Sequence, residues 1–165
     1  MFNILLTATT SERAFAVMVL SAISLLSCQL VKGFVFFFKD KSFNINMFFT
    51  TGGFPSSHTS TVITMITSIA IFQIHDTKSI DYVLAVACVV AVIIIHDAMG
   101  VRYEASKHAR ILNKMVENES IEKKQKLGFG HSGILKELLG HKKIEVLAGF
   151  IYGILVAVIG CLIVL

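Results

Sequence analysis

Residues 52–58 read Gly-Gly-Phe-Pro-Ser-Ser-His, a combination that suits an anion-binding loop at the start of a helix. The glycines permit positive φ and a close approach of the backbone to a ligand, and Pro55 suits the first turn of a helix. Ser56 and Ser57 are typical N-cap residues, and the free N–H groups of a helix start attract phosphate. His58 would exchange a proton with that anion. An ordinary helix cap beside a membrane is the alternative.

A second candidate pair is His141 and Glu145, which are four residues apart and therefore share one face of a helix. A carboxylate that accepts a hydrogen bond from one imidazole nitrogen fixes the tautomer of the ring and leaves the other nitrogen free to attack. The pair predicts a nucleophilic histidine. A surface histidine beside a glutamate in the first turn of a helix is the alternative.

Three basic side chains are candidates to hold phosphate: Lys32, Arg102 and Lys136. Arginine binds phosphate as a bidentate fork, whereas lysine acts as a point charge. Asp97 follows an apolar run at the expected membrane boundary, where an ionisable group is costly and points to function. A structural ion pair with Arg102 would explain Asp97 equally well. Gln29 precedes Lys32 by three residues and shares its helical face.

Four of these side chains could instead bind a metal ion: His58, Asp97, His141 and Glu145. None of them has the tight spacing of a zinc motif. The three cysteines are single, and each lies in an apolar stretch. We therefore predict neither a metal nor another cofactor.

The composition predicts the elements that must position these residues. The chain has 165 residues, of which 55% are hydrophobic and 16% charged, which excludes an ordinary soluble domain. We predict one all-α domain over residues 1–165, a polytopic membrane helical bundle with about four spans. The predicted spans are 14–31, 58–74, 81–97 and 145–165, and 98–144 is a polar segment.

Smaller elements accompany the spans. Residues 43–49 mix aromatics with asparagines and predict a segment at the membrane interface. Residues 102–119 have the apolar spacing of an amphipathic helix, and we expect a further helix over 134–139. The third apolar run is short, so it is either tilted or extended through Met99. Glycines in the last span predict close helix packing, at Gly149, Gly153 and Gly160.

The basic residues predict the orientation of the bundle. Four spans place the loops alternately on two sides, and one side carries only Arg13 and Lys78, against 13 Lys and Arg on the other. By the positive-inside rule, the second side is cytoplasmic and both termini lie outside an inner (plasma) membrane. Because the positive charge falls in loops, it indicates topology and not a nucleic-acid partner. The same topology places all the candidate residues at the cytoplasmic face.

Three ordered motifs resemble the divergent PAP2 family, small membrane proteins related to acid phosphatases and vanadium haloperoxidases. The motifs are residues 52–58, residues 97–102, and residues 135–141 followed by Glu145-Val146. With Gln29 and Lys32 as the leading element, the resemblance runs from about residue 20 to the C-terminus. It implies a PAP2-like helical bundle and a metal-independent phosphatase.

The resemblance also implies roles for individual residues. His141 would be the nucleophile that forms a phosphohistidine, Glu145 would orient it, and His58 would protonate the leaving alkoxide. Phosphate charge would be neutralised by the basic side chains, Lys32, Lys136 and Arg102. The substrate would be a lipid or isoprenoid phosphate or pyrophosphate held by the bilayer.

Departures from the family pattern keep other functions open. The first motif of the broader PAP2 superfamily, Lys-x6-Arg-Pro, is absent from this sequence. In addition, the positions where the divergent family has Arg, Gly and Pro hold Tyr103, Ser106 and Lys143. A non-catalytic membrane protein that binds or moves an anionic lipid head group is therefore the first alternative. A purely structural membrane subunit is the second. A homo-oligomer is compatible with each of these functions.

Overall fold

The computed structural model describes residues 2–40, 52–137 and 140–165, and every regular element within these ranges is a helix. The helices are α1 Phe2–Asp40, α2 Ser57–Thr77, α3 Tyr82–Met99, α4 Val101–Met115, α5 Ile121–Lys126 and α6 Lys143–Val164. The prediction of an all-α membrane protein is confirmed.

Four long helices, α1, α2, α3 and α6, alternate in direction and form the bundle. Helix α2 packs against the other three, whereas α1 and α3 flank it and their backbones make no close approach to each other within the described ranges. We call the end that contains residues 52–58 and 140–145 the motif end. The opposite end, where Arg13 of α1 reaches Asp76 of α2 and the carbonyl of Val164, is the far end.

The contact between α2 and α6 depends on glycines and hydroxyls. A Cβ atom at Gly149 or Gly153 of α6 would collide with the backbone oxygen of Ser56 or Ser60 on α2, so both positions need glycine. Thr64 Oγ1 also donates a hydrogen bond to the carbonyl oxygen of Gly153, over 3.0 Å. In a membrane, close backbone approach and such hydrogen bonds hold helices together. The packing predicted at these glycines is present.

Three helical segments in the described part of the chain are long and apolar enough to cross a membrane: Thr10–Phe38, Tyr82–Met115 and Lys143–Val164. Helix α2 has 21 residues but carries the buried hydroxyls, and it covers the predicted span 58–74. The predicted number of about four spans is therefore approximate. Of the two options for the third run, the structure shows the extended one, because α3 ends at Met99.

Three predictions of local structure have other outcomes. Helix α1 contains the predicted span 14–31 and continues beyond it at both ends, from Phe2 to Asp40. Before the span, Arg13 has partners on α2 and α6. The helix expected over 134–139 is wrong for residues 134–137, which are not helical. The interfacial segment 43–49 lies outside the described residues.

Candidate active site

The loop before α2 is fixed by hydrogen bonds to its own helix and to α6. Ser56 is the N-cap of α2, and its Oγ accepts hydrogen bonds from the backbone N–H and the hydroxyl of Thr59, at 3.4 and 3.0 Å. The backbone N–H of Ser56 donates to the carbonyl oxygen of Glu145, at 2.9 Å. The start of α2 is thereby joined to the start of α6, as an anion site shared by the two motifs requires.

Gly53 brings the same loop against α1. It has φ +100°, and a Cβ atom there would meet the ring of Phe36, with the side chain of Lys32 close behind. Only glycine combines this left-handed conformation with so close a contact. The loop therefore lies directly over the helical turn of α1 that carries Lys32.

His141 is held in one orientation at the motif end. The residue is only 2% exposed, and its Nδ1 lies 3.2 Å from Oε2 of Glu145. Its backbone N–H donates to the carbonyl oxygen of Ala98 at the end of α3, at 3.0 Å. Glu145 is fixed in turn, because its Oε2 also accepts a hydrogen bond from the backbone N–H of Lys142, at 3.1 Å. This is the histidine–carboxylate arrangement that the spacing predicts.

The imidazole rings of His58 and His141 are neighbours, and each has one nitrogen without a hydrogen bond in the described structure. The rings of His58 and His141 have centroids 6.0 Å apart and planes inclined by 62°. His141 Nε2 and His58 Nδ1 are buried and have no hydrogen-bond partner among the described residues. An unsatisfied buried polar atom costs about 1–3 kcal/mol. The two open nitrogens, on rings that lie next to each other, are available to a ligand.

Positive charge surrounds the two imidazoles. Lys32 is fully buried, and its Nζ lies 3.5 Å from the hydroxyl oxygen of Ser57. Arg102 is half-exposed and forms an ion pair with Asp97, with Nε 2.5 Å from Oδ2. The ring of His58 lies within electrostatic reach of Lys32 and Arg102, and also of the carboxylate of Asp97. Lys32 thus places a buried basic group beside the start of α2, as a phosphate site requires.

Two of the predicted residues contribute less directly. Gln29 is half-buried one turn before Lys32, and its Oε1 is a further buried atom without a hydrogen-bond partner in the described ranges. Lys136 is exposed in the non-helical stretch. Among the described hydrogen bonds and ion pairs, none joins Lys136 to His141 or its neighbours. The structure thus brings Glu145 and His58 against His141 and places Ser56, Ser57, Lys32, Arg102 and Asp97 near them. No described contact joins Gln29 or Lys136 to this cluster.

A cavity of about 280 Å³ opens beside Glu145. Sequence reasoning missed several residues that line it, including Phe36, Tyr103 and Lys142. Lys142 had a signal, since it adjoins His141, but it resembled the lysines that set topology. Glu137 lies at the rim, and hydrogen bonds from Asn113 and then Arg110 lower the pKa of its carboxyl group, so that the rim carries a negative charge as well.

Within the described ranges, no three His, Cys, Asp or Glu side chains lie close enough together to share a metal ion. His141 already uses one nitrogen on Glu145, and Asp97 is occupied by Arg102. The arrangement can instead supply a nucleophilic nitrogen, a second imidazole for proton transfer and cations for a phosphate.

Comparison with known proteins gives two findings. The family model described as the divergent PAP2 family matches residues 14–156. An uncharacterized membrane protein of Bacillus subtilis (strain 168), YuiD, is 32% identical over 145 residues, which cover 84% of this chain and 89% of that protein. No solved structure matches the chain.

Proposed function

The chain belongs to the divergent PAP2 family, and from this premise we propose that it is a membrane-embedded phosphatase. It hydrolyses a lipid or isoprenoid phosphate or pyrophosphate through a phosphohistidine intermediate. The observation that carries the proposal is the buried Nε2 of His141, which lacks a hydrogen-bond partner in the described structure while Nδ1 is held by Glu145. That is the state a nucleophilic imidazole needs.

The reaction proceeds in two balanced steps. In the first, His141 Nε2 attacks phosphorus, the bond from phosphorus to the bridging oxygen breaks, and His58 gives its proton to the leaving oxygen. In the second, His58 takes a proton from water, the water oxygen attacks phosphorus, and the bond to Nε2 breaks to release orthophosphate. Glu145 keeps the ring of His141 oriented in both steps.

The remaining residues stabilise the phosphoryl group. Lys32 and Arg102 neutralise its oxygens, and the N–H groups at the start of α2, beside Ser56 and Ser57, donate to them. Charge stabilisation of this kind supplies much of the catalysis in phosphoryl transfer. Lys136 is exposed and lies outside the hydrogen-bonded cluster, so we assign it no contact with phosphate.

We further propose that the motif end faces the cytoplasm of a bacterial-type plasma membrane, in line with the distribution of Lys and Arg. Single cysteines at positions 78 and 123, in a chain whose native cysteines are replaced, would report the two sides. A membrane-impermeant thiol reagent applied to whole cells should label Lys78→Cys and not Lys123→Cys. The reverse pattern would invert the topology.

The activity is tested by phosphate release from the purified protein in detergent with EDTA present. Substrates are polyprenyl phosphates, polyprenyl pyrophosphates and phosphatidic acids. His141→Asn should abolish release, whereas His131→Asn, the same change at an exposed histidine, should leave it intact. An acid-labile phosphoryl adduct should form on the wild-type protein and should be missing from His141→Asn.

A negative result has a definite meaning in this design. If no substrate releases phosphate, and the wild-type protein still binds polyprenyl phosphate, the phosphatase proposal fails. Binding of the head group without catalysis would then be the function. Release that survives in His141→Asn would refute the nucleophile assignment.

A further inference from the structure

A second cavity, of about 420 Å³, lies at the far end of the bundle between α1, α2 and the start of α3. Its apolar walls come from all three helices and comprise Ala14, Val17, Ile69, Phe72 and Val83. Volumes of this size are typical of sites for small molecules or lipid chains. The proposed reaction does not use this cavity.

The polar side chains at the rim of this cavity bond to one another. Arg13 pairs with Asp76, with Nε 3.2 Å from Oδ2, and its guanidinium lies 4.7 Å from the ring centre of Phe72. Gln73 Nε2 donates to Asp81 Oδ1 at 2.6 Å. These groups therefore have their partners within the protein, and the cavity favours an apolar occupant over a charged head group.

The surface of α2 between α1 and α3 leads from this cavity toward the candidate active site, and we call this strip the furrow. Both helices pack on α2, and their backbones make no close approach to each other within the described residues, so α2 forms the floor of the furrow. Ile69 lines the cavity, and Met65 and Thr61 precede it at intervals of four residues on the same half-buried face of α2. One turn before Thr61 on this face is His58.

The length of the furrow limits what can fill it. The residues of α2 that line the cavity, Ile69 to Thr77, lie about 16 to 29 Å beyond His58 along the helix. One leaflet supplies only about half of the roughly 30 Å hydrocarbon core, so the acyl chains of a phospholipid end before the cavity. A long linear polyprenyl chain extends past the midplane and reaches it.

We propose that the furrow between α1 and α3 holds the tail of a long-chain polyprenyl phosphate or pyrophosphate, and that the far cavity receives its distal end. This inference rests on the proposed function, because it places the head group beside His58 and His141. It narrows the substrate class from lipid phosphates in general to polyprenyl phosphates longer than one leaflet.

The test is a crosslinking experiment that needs no turnover. Purified His141→Asn protein in detergent receives a long polyprenyl phosphate with a photoreactive group at the distal end of the chain. Crosslinks should fall on residues 10–17 and 69–83, and unlabelled long-chain polyprenyl phosphate should compete them away, whereas phosphatidic acid should not. Crosslinks confined to other surfaces, or competition by phosphatidic acid, would overturn the proposal.

Cavity-filling variants provide the second arm. Ala14→Phe and Ile69→Trp narrow the cavity, and Ile159→Trp, on the exposed face of α6, is the matched control. In the active protein the first two should lower kcat/KM for long chains about tenfold or more and leave farnesyl phosphate unchanged. Equal rates at every chain length would refute the tail site and leave the phosphatase standing. Absence of all release would refute the phosphatase, and the crosslinks would still decide the tail site.

Discussion

The two ends of the bundle both carry polar side chains within an apolar protein, but they use them differently. At the far end, Arg13 and Asp76 pair with each other, and Gln73 pairs with Asp81. At the motif end, nitrogens of His58 and His141 are buried with no hydrogen-bond partner in the described ranges. Polar groups that satisfy one another fasten helices. Groups that are kept buried and open at a cost of about 1–3 kcal/mol each are explained by a ligand that binds there.

The sharpest way to break this comparison is to remove one histidine from each end. His58→Ala should lower phosphate release by about 10²–10⁴-fold, because it removes the proton donor for the leaving oxygen. His75→Ala should leave the rate unchanged, because that ring is exposed and its hydrogen bond in the described structure is to Asp76. Steady-state rates of the two purified variants decide the matter. Equal losses would show that the two ends are not functionally distinct.

Cations at the two ends provide the next comparison. Lys32→Met should lower kcat/KM by about 10²-fold, because a buried basic group beside the proposed phosphate site is lost. Arg13→Met should leave the kinetics with farnesyl phosphate unchanged, because so short a chain does not reach the far cavity. It should destabilise the protein by about 1 kcal/mol, since an ion pair and a cation–π contact disappear. Kinetics and thermal unfolding in detergent measure both effects. A loss of activity toward farnesyl phosphate in Arg13→Met would contradict the structural role assigned to the Arg13 ion pair.

Two glycines of α6 test how precisely each end must pack. Gly149→Ala should cost about 1–3 kcal/mol and also lower activity, because its Cβ atom meets the backbone of Ser56. Gly160→Ala should cost less and leave activity intact, because its Cβ atom meets only the flexible side chain of Leu20. Tm and rate are compared for the pair. A larger loss of stability and activity in Gly160→Ala than in Gly149→Ala would place the tighter helix contact at the far end.

The smallest effect is expected from the half-exposed ion pair of Asp97 and Arg102. Asp97→Asn should change the free energy of unfolding by less than about 1 kcal/mol, as exposed pairs do. Arg102→Met should raise KM more than Asp97→Asn does, because only Arg102 is proposed to contact phosphate. A larger kinetic effect of Asp97→Asn would make the carboxylate a participant in the site.

Much of the architecture could be predicted from the sequence, since hydropathy is a local property and apolar runs mark the helices. The ends of α1 could not be predicted, because the polar pair Glu12-Arg13 signals a boundary that tertiary structure overrides. Arg13 finds its partners on α2 and at the end of α6, more than sixty residues away in the sequence. No local pattern records those contacts.

The candidate site shows the same division. The order of the motifs, together with the alternation of helices, predicted that His58, His141 and Glu145 would meet at one end. The position of Lys136 could not be predicted, because the side chain of Asn113 holds both backbone groups of Leu135, at 2.9 and 3.0 Å, in a stretch that is not helical. Asn113 belongs to α4, where the sequence suggested only the polar face of an amphipathic helix.

The hydrogen bond from the backbone N–H of His141 to the carbonyl oxygen of Ala98 has an engineering consequence. This bond joins the two ends of the polar segment that connects α3 to α6. The turn at Glu117–Ser120 is exposed for the most part and lies within that segment. A fluorescent or affinity domain inserted at this turn would leave the hydrogen bond between His141 and the end of α3 in place. The protein therefore offers an internal tagging position that is independent of both termini.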